Sequence, residues 1–338
     1  MTFKQTLGIQ YPIVQAPMAG VTTPDFVAAG TETGILGSIG AGYLTATETR
    51  TIIQQVKALT NGPFSVNLFV PDNTPFDQEQ LRLAYEALQP IGEQLGMPFW
   101  KAPLSEPDFH GQIDVVIEEK PAACSFTFGI PDVESIERLH DAGILLIGTA
   151  TTLDEAMAVQ QAGLDMVVIQ GAEAGGHRGS FHPDGPLIPL NNLLAEVRDV
   201  IQLPIIAAGG VATNARMTEL MNNGASAVQI GTALLATEES GASIAYKQAV
   251  LSASLDDTVI TEVFSGRPAR GIRNRFIDQM NRSPIAPYPY QNDLTKRIRK
   301  EAAMQNNADF LSLWAGTGVQ NTQAGTVESI VSRLLNKE

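Results

Sequence analysis

The chain contains four histidines, and one of them, His177, sits where chemistry could be done. It lies in Gln170-Gly-Ala-Glu-Ala-Gly-Gly-His-Arg-Gly179, directly behind the apolar run Met166 to Ile169. An unbroken apolar run of this length suits a strand buried on both faces, as in a parallel sheet. Gly171, Gly175, Gly176 and Gly179 give the loop that follows a backbone able to turn tightly or lie close to a ligand. An imidazole in such a loop can act as a base or hydrogen-bond an anion near neutral pH. The bland alternatives are a surface histidine, or one that caps a carbonyl. His110, His140 and His182 lack these surroundings, and His140 falls in a helical stretch where it should be exposed. Arg178 could hold a substrate anion or pair with Glu173 to brace the loop, and the sequence leaves both open.

Two glycine turns suggest a second half of the site. Ala207-Ala-Gly-Gly-Val-Ala-Thr-Asn214 and Gln229-Ile-Gly-Thr232 each end an apolar run and open a helix. Glycines expose backbone N–H groups, and helix N-termini favour anions, so these turns read as a phosphate site. The competing reading is that the glycines only serve tight strand-to-helix turns. Other chemistries find no support. There is no H-x-x-x-H or carboxylate cluster for a metal, and no G-x-S-x-G elbow for a serine hydrolase. Cys124 is the single cysteine, which excludes an intrachain disulfide and a cysteine metal cluster; it reads as a small buried hydrophobe.

A rhythm of short β-branched runs and polar helical stretches must position these groups. The runs are 12–18, 34–39, 64–70, 122–128, 144–149, 166–170, 204–208 and 225–230. Helical stretches follow at Thr23-Pro24-Asp25, Thr45 to Leu59, Pro131 to Ala142, Leu153 to Ala162, Leu190 to Ile201 and Asn214 to Asn223. In the second of these, Ile52, Ile53, Val56 and Leu59 share one face. Eight parallel-type strands alternating with helices predict a (β/α)8 TIM barrel. An open doubly wound sheet is the competitor, but no run is followed by G-x-G-x-x-G. The barrel's ligand face gathers the residues at the strand ends: Met18, Gly40, Asn67, Thr127, Thr149, Gln170, Gly209 with Gly210, and Gly231 with Thr232.

Two regions fall outside the rhythm. Residues 71–103 hold a helical stretch around Glu79 to Leu95, flanked by Pro71, Pro75, Pro98 and Pro103; it reads as an insertion that packs on the barrel or covers its mouth. The barrel is expected to occupy residues 1–240, with an accessory, substrate-side region at 241–338. There Gly241 to Ser254 looks helical and Val259 to Phe264 extended, and helices at Asp293 to Gln305 and Val327 to Leu335 return to the barrel. Arg267, Arg270, Arg273 and Arg275 read as a solvated surface or an oligomer contact, with a place near a cofactor phosphate as the lesser reading. Tyr288 and Tyr290, among prolines, fit pocket lining or packing equally.

At 338 residues, 44% hydrophobic and 17% charged, the chain suits a soluble globular protein. No run reaches the ~18 apolar residues of a membrane span, and the N-terminus shows no signal-peptide core, so a cytoplasmic protein is expected. A net charge of -14 argues against nucleic acid as partner. It also means that an anionic ligand would depend on backbone dipoles and local cations.

Gln15-Ala-Pro-Met-Ala-Gly20, Ser125-Phe-Thr-Phe-Gly-Ile-Pro131, the Gln170–Gly179 loop, Ala207-Ala-Gly-Gly-Val211, Gln229-Ile-Gly-Thr232 and Trp314-Ala-Gly316 together resemble the nitronate monooxygenases, formerly called 2-nitropropane dioxygenases. The E-A-G-G-H-R-G loop is specific, whereas the two glycine turns are shared by many FMN barrels. The resemblance implies FMN without a metal. It places the phosphate on Gly209, Gly210, Gln229, Ile230, Gly231 and Thr232, with Asn67, Gln170 and Gly175 on the flavin and Met18 near its ring. His177 matches the family's catalytic histidine. The implied reaction is oxidation of an alkyl nitronate with O2 to a carbonyl compound and nitrite, through a flavin semiquinone. His177 would act as base toward a neutral nitroalkane or as anion-binding group. Relatives on the same scaffold reduce quinones or enoyl-acyl-carrier-protein with NAD(P)H, so the fold alone does not separate the two activities.

Overall fold

Among the residues described by the computed structural model (2–71, 77–97, 100, 102, 104 and 108–337), eight parallel strands form a barrel. In chain order the strands are β1 (Ile13–Gln15), β2 (Gly37–Gly40), β3 (Phe64–Phe69), β4 (Ala123–Thr127), β5 (Leu145–Ala150), β6 (Met166–Gln170), a two-residue β7 (Gly176–His177) outside the barrel, β8 (Ile205–Ala208) and β9 (Ala227–Ile230). The sheet runs β1-β9-β8-β6-β5-β4-β3-β2. A bridge between Val14 and Leu36 brings its two ends together, with Leu36 N donating to Ile13 O at 3.0 Å and Gln15 N to Leu36 O at 2.9 Å. The (β/α)8 architecture expected from the strand rhythm is therefore present.

Strand alternation decides what faces the barrel axis. Val66, Leu68, Cys124, Phe126, Val167, Ile169, Ala207, Val228 and Ile230 point outward into the core beneath the helices. Their neighbours point inward. Val14, Leu36, Ala123, Ile147, Met166, Ile206 and Ala227 pack with Phe3 and Leu7 of the first helix (Phe3–Leu7), which fills one end of the barrel. Toward the C-terminal ends of the strands the interior turns polar. Ser38 Oγ meets Ser65 Oγ at 2.7 Å, and Asn67 Nδ2 donates to Ser125 Oγ at 2.9 Å and Thr127 Oγ1 at 3.1 Å. An apolar floor beneath a polar upper layer is what a site at the C-terminal face requires.

Threonines cap the helices that follow the strands. Thr23 Oγ1 accepts from Phe26 N, Thr45 Oγ1 from Glu48 N in a capping box, Thr152 Oγ1 from Glu155 N and Thr213 Oγ1 from Arg216 N. Each satisfies an amide that the helix cannot, contributing about 1 kcal/mol, and fixes where the chain leaves the strand end. Two local expectations are corrected. Leu59 is 50% exposed, because the helix Ala46–Leu59 buries only Thr49, Ile53 and Val56. A helix at Phe109–Glu119, for which no element was expected, packs Phe109, Ile113 and Val116 into the barrel's outer core.

A second apolar cluster lies apart from the barrel core. Ala84, Leu88 and Ile91 of the helix Gln78–Gln94 pack there with Leu294, Ile298 and Ala302 of the helix Tyr290–Met304, and with Phe264, Phe276 and Trp100. Gln305 Nε2 donates to Leu95 O at 2.9 Å, and Gln80 Nε2 to Ile285 O at 3.0 Å. The insertion thus packs on the C-terminal segment rather than on the barrel helices. Its flanking Pro75, Pro98 and Pro103 lie outside the described residues. The last helix, Val327–Leu334, does return to the barrel, burying Val327, Ile330, Val331 and Leu334 in its outer core.

Candidate active site

The loop after β6 is held as a strand. Gly176 and His177 pair antiparallel with Arg270 and Ala269 of β11 (Ala269–Ile272), which also pairs with β10 (Thr258–Thr261). Arg178 N donates to Pro268 O at 2.8 Å. Gln170 spans the loop from inside, its Nε2 donating to His177 O at 3.1 Å and its Oε1 accepting from Gly179 N at 2.8 Å. That leaves one of its amide protons for the cavity. Both expected roles of Arg178 are corrected. Its guanidinium is buried and donates to the carbonyls of Gly171 at 3.0 Å, Pro186 at 3.2 Å and Gln170 at 3.4 Å. It braces the loop through backbone, and Glu173 instead accepts from Leu190 N, at 2.9 and 3.1 Å, where the helix Leu190–Val197 begins.

Beside this loop lies a cavity of about 410 Å³. The structure brings Met18, Gly40, Asn67, Thr127, Thr149, Gln170, Gly175, His177, Gly209, Gly210, Gln229, Gly231 and Thr232 to its walls, so every expected strand-end residue lines it. Ile230 does not. Strand alternation that turns Gln229 inward turns Ile230 outward, and its side chain is buried in the barrel's outer core. A second pocket of about 400 Å³, behind the Gly209-Gly210 turn at Asn214, Gln320 and Arg333, contains no histidine.

Glycines set how closely the walls approach. A Cβ on Gly175 would stand 2.4 Å from Gly316 N, and one on Gly231 3.2 Å from Ala16 Cβ. Gly209 and Gly210 have φ of +128° and +68°, backbone that L side chains rarely adopt. Gly316 N donates to Thr232 Oγ1 at 2.9 Å, which joins the turn after β9 to the C-terminal segment. At this end of the cavity glycine backbone, beside the helix Asn214–Asn222, is what a ligand's phosphate would meet. The turns fit such a group on these grounds.

Aromatic rings surround His177. The rings of Trp314, Phe128, Tyr43 and Phe69 lie 5.5, 5.9, 6.3 and 6.3 Å from the His177 ring. His177 Nε2 is 2.8 Å from Ser265 Oγ and 3.4 Å from Tyr43 Oη. Ser265 Oγ also donates to Arg267 O at 3.2 Å. Burial, reinforced by the charges of Arg299 and Arg267, pushes His177 down to about 3, so the imidazole is neutral at neutral pH. Burial likewise pushes Tyr43 up and keeps its phenol protonated.

The arginine cluster is split, which corrects its reading as a solvated surface. Arg267 is buried, with its guanidinium over the Phe128 ring at 4.2 Å and donating to Ser180 O and Phe181 O, each at 3.3 Å. Arg270 donates to Ala172 O at 3.0 Å, and only Arg273 and Arg275 are exposed. Tyr288 packs on Tyr43 at 6.2 Å and on Phe128 at 5.3 Å, one shell behind the cavity wall. His140 is exposed, as its helical stretch implied, and pairs with Asp165 at 3.1 Å. Cys124 is buried. Among the described residues no group of three or more His, Cys, Asp and Glu could hold a metal, and no helix is long and apolar enough to cross a membrane.

Sequence reasoning missed Tyr43, Phe69, Phe128, Ser265, Arg299 and Trp314 as parts of this site. Tyr43 stands in the loop after β2 and Phe69 ends β3, so counting three residues beyond Gly40 and two beyond Asn67 would have found both. Ser265, Arg299 and Trp314 come from the C-terminal segment, and no local pattern ties them to the barrel mouth.

Comparison with known proteins agrees with this geometry. The family model described as nitronate monooxygenase matches residues 2–337. The chain is 44% identical to a probable nitronate monooxygenase of Staphylococcus haemolyticus, covering 98% of this chain and 95% of that protein. It is 41% identical to one of Staphylococcus aureus, covering 98% and 96%. Among solved structures, nitroalkane oxidase from Streptomyces ansochromogenes is 37% identical with a TM-score of 0.91, covering 97% of this chain and 96% of that one. FabK from Thermotoga maritima is 27% identical with a TM-score of 0.78, covering 99% and 94%. Matched by the family model over residues 2–337 and by relatives over almost their whole length, the chain belongs to the nitronate monooxygenase family of flavin-dependent oxidoreductases.

Proposed function

We infer that the chain holds FMN in this cavity and oxidises alkyl nitronates, or the parent nitroalkanes, with O2 to a carbonyl compound and nitrite. The observation that carries this reading is a neutral His177, fixed on a paired strand, in a cavity that the glycine turns also line. Gly209, Gly210, Gln229, Gly231 and Thr232 would hold the phosphate, and Met18, Asn67, Gln170 and Gly175 the ring system. FMN bound there would take electrons from the nitronate and pass them to O2.

The chain's own groups account for the remaining steps. His177 Nε2 shares a hydrogen bond with Ser265 Oγ, whose hydroxyl also lies within reach of Arg267 O, so Ser265 orients the ring. The imidazole would remove the α-proton of a neutral nitroalkane. A preformed nitronate needs no such step. The aromatic walls exclude water from around the reacting carbon, which strengthens every electrostatic contact made to it. Burial keeps the imidazole neutral at neutral pH, so it would meet the substrate as a proton acceptor or hydrogen-bond partner rather than as a resident cation, and a bound anion beside it would raise its proton affinity.

The deciding experiment is anaerobic. FMN-loaded protein is mixed with ethyl nitronate and, separately, with NADPH, and flavin absorbance is followed. Rapid bleaching by the nitronate is expected. Bleaching by NADPH, with none by nitronate, would overturn the reading in favour of an NAD(P)H-dependent reductase.

A further inference from the structure

If His177 is neutral, something else must meet a negatively charged substrate. Most arginines near the cavity are already committed. Arg178 is spent on three carbonyls, Arg267 on Ser180 O, Phe181 O and the face of Phe128, and Arg270 on Ala172 O and Thr258 Oγ1. None of these three lines the cavity. The cations that do, among the described residues, are Lys296 and Arg299 of the helix Tyr290–Met304. With Asn292 they stand at i, i+4 and i+7, one face of a helix turned to the cavity. Lys296 is exposed, whereas the Arg299 guanidinium is drawn inward. Arg299 Nη2 donates to Asn292 Oδ1 at 2.7 Å and Asn292 O at 3.0 Å, which fixes the plane of the fork. Its Nε is buried and has no hydrogen-bond partner among the described residues.

That Nε has no surface open to a ligand; the donor this guanidinium offers to the cavity is Nη1, which makes no hydrogen bond among the described residues, and a charged donor gains when a ligand oxygen meets it. Arg299 is also close enough for its charge to act on both His177 and Tyr43. Asp293, buried on the same helix, offsets part of that charge. Guanidinium and nitronate are both planar, and the N–H donors that Asn292 leaves free would meet a nitronate oxygen as they meet a carboxylate oxygen.

We propose that Arg299 is the substrate-anion receptor of this site: anchored by Asn292, it binds the oxygens of the nitronate or nitro group and turns the substrate's α-carbon toward His177. The proposal rests on the nitronate reading of the cavity. Arg299 acts on the oxygens and His177 on the carbon, and so the two residues separate binding from proton removal. In a chain of net charge -14, this helix face is the local cation that an anionic substrate requires.

The test compares wild type, Arg299→Gln and Arg299→Lys as FMN-loaded proteins. Nitrate, a planar anion with the same O–N–O edge, is titrated while the flavin spectrum is followed, and steady-state constants are measured with ethyl nitronate. Loss of a charge-assisted contact predicts nitrate binding and kcat/KM weaker by about tenfold to a hundredfold in Arg299→Gln, mostly through KM, with partial recovery in Arg299→Lys. FMN content and the spectrum without nitrate should be those of wild type. Wild-type nitrate affinity in the folded, FMN-loaded Arg299→Gln protein would overturn the proposal, and so would loss of FMN from both variants, which would place Arg299 on the cofactor. Nitrate titration needs no turnover. A wild-type protein that binds nitrate through Arg299 but leaves nitronate unoxidised would refute the activity and keep the anion receptor.

Discussion

His177 gains its character from what surrounds it, not from its own loop. Aromatic rings crowd out water, two guanidiniums oppose a further positive charge, and Ser265 holds the ring in place. The sign of the effect on stability follows. The folded state holds the histidine down to about 3, whereas an unfolded histidine titrates near 6.5. The folded protein therefore refuses a proton that the unfolded chain accepts, and the associated stability is complete above about pH 6.5 and erodes as pH falls toward 3. Replacing His177 by Asn removes this liability. Thermal melts at pH 7 and pH 5 should show a smaller drop for His177→Asn than for wild type, and an equal drop would contradict the buried, neutral histidine. The same variant should retain FMN and lose far more activity on neutral nitroethane than on ethyl nitronate. Loss of flavin would instead assign His177 a structural role. The position of His177 was legible from its sequence neighbours, because an apolar run followed by glycines marks a strand end. Its electrostatics were not, since Arg299 and Arg267 lie 122 and 90 residues further along the chain.

At the scale of elements, the strand rhythm predicts the barrel because period 2 and threonine caps are local properties. Pairings across long sequence separation are not local. The antiparallel contact of β7 with β11 joins His177 to Ala269 and turns what reads as a flexible glycine loop into a fixed edge. The same contact explains the arginine cluster. Arg267 and Arg270 reach the carbonyls of Ser180, Phe181 and Ala172 around that loop and Arg273 stays in solvent, a distinction invisible until β11 has a partner. Gly175 shows the tolerance of the arrangement. A methyl group there would meet backbone atoms of Gly316 and Ala315 at 2.4 and 2.5 Å, and no rotamer change can relieve a clash with backbone. Gly175→Ala is expected to lower stability by about 1–3 kcal/mol and to reduce the flavin retained after gel filtration. A wild-type melting temperature and flavin ratio would show that the two loops are not pressed together as described.

Over the whole molecule, the barrel supplies the floor and the glycine turns, and the C-terminal segment supplies the wall that carries Ser265, Arg299 and Trp314. The second apolar cluster fixes that wall, with the helix Gln78–Gln94 as its outer support. Site and support are therefore built from parts far apart in the chain. Sequence patterning identified both helices but not their mutual packing, because an amphipathic helix declares an apolar face without naming what covers it.

The two tryptophans divide between these parts: Trp100 is buried in the second cluster, and Trp314 lines the cavity beside His177. The protein thus carries its own pair of optical gauges. Emission from Trp314 should be quenched by energy transfer when flavin occupies the cavity and should respond to nitrate, while solvent-driven red shifts of Trp100 should follow loosening of the outer layer. Trp314→Phe would isolate the second signal and Trp100→Phe the first. Emission from the Trp100→Phe protein that is indifferent to flavin loading would place the ligand elsewhere.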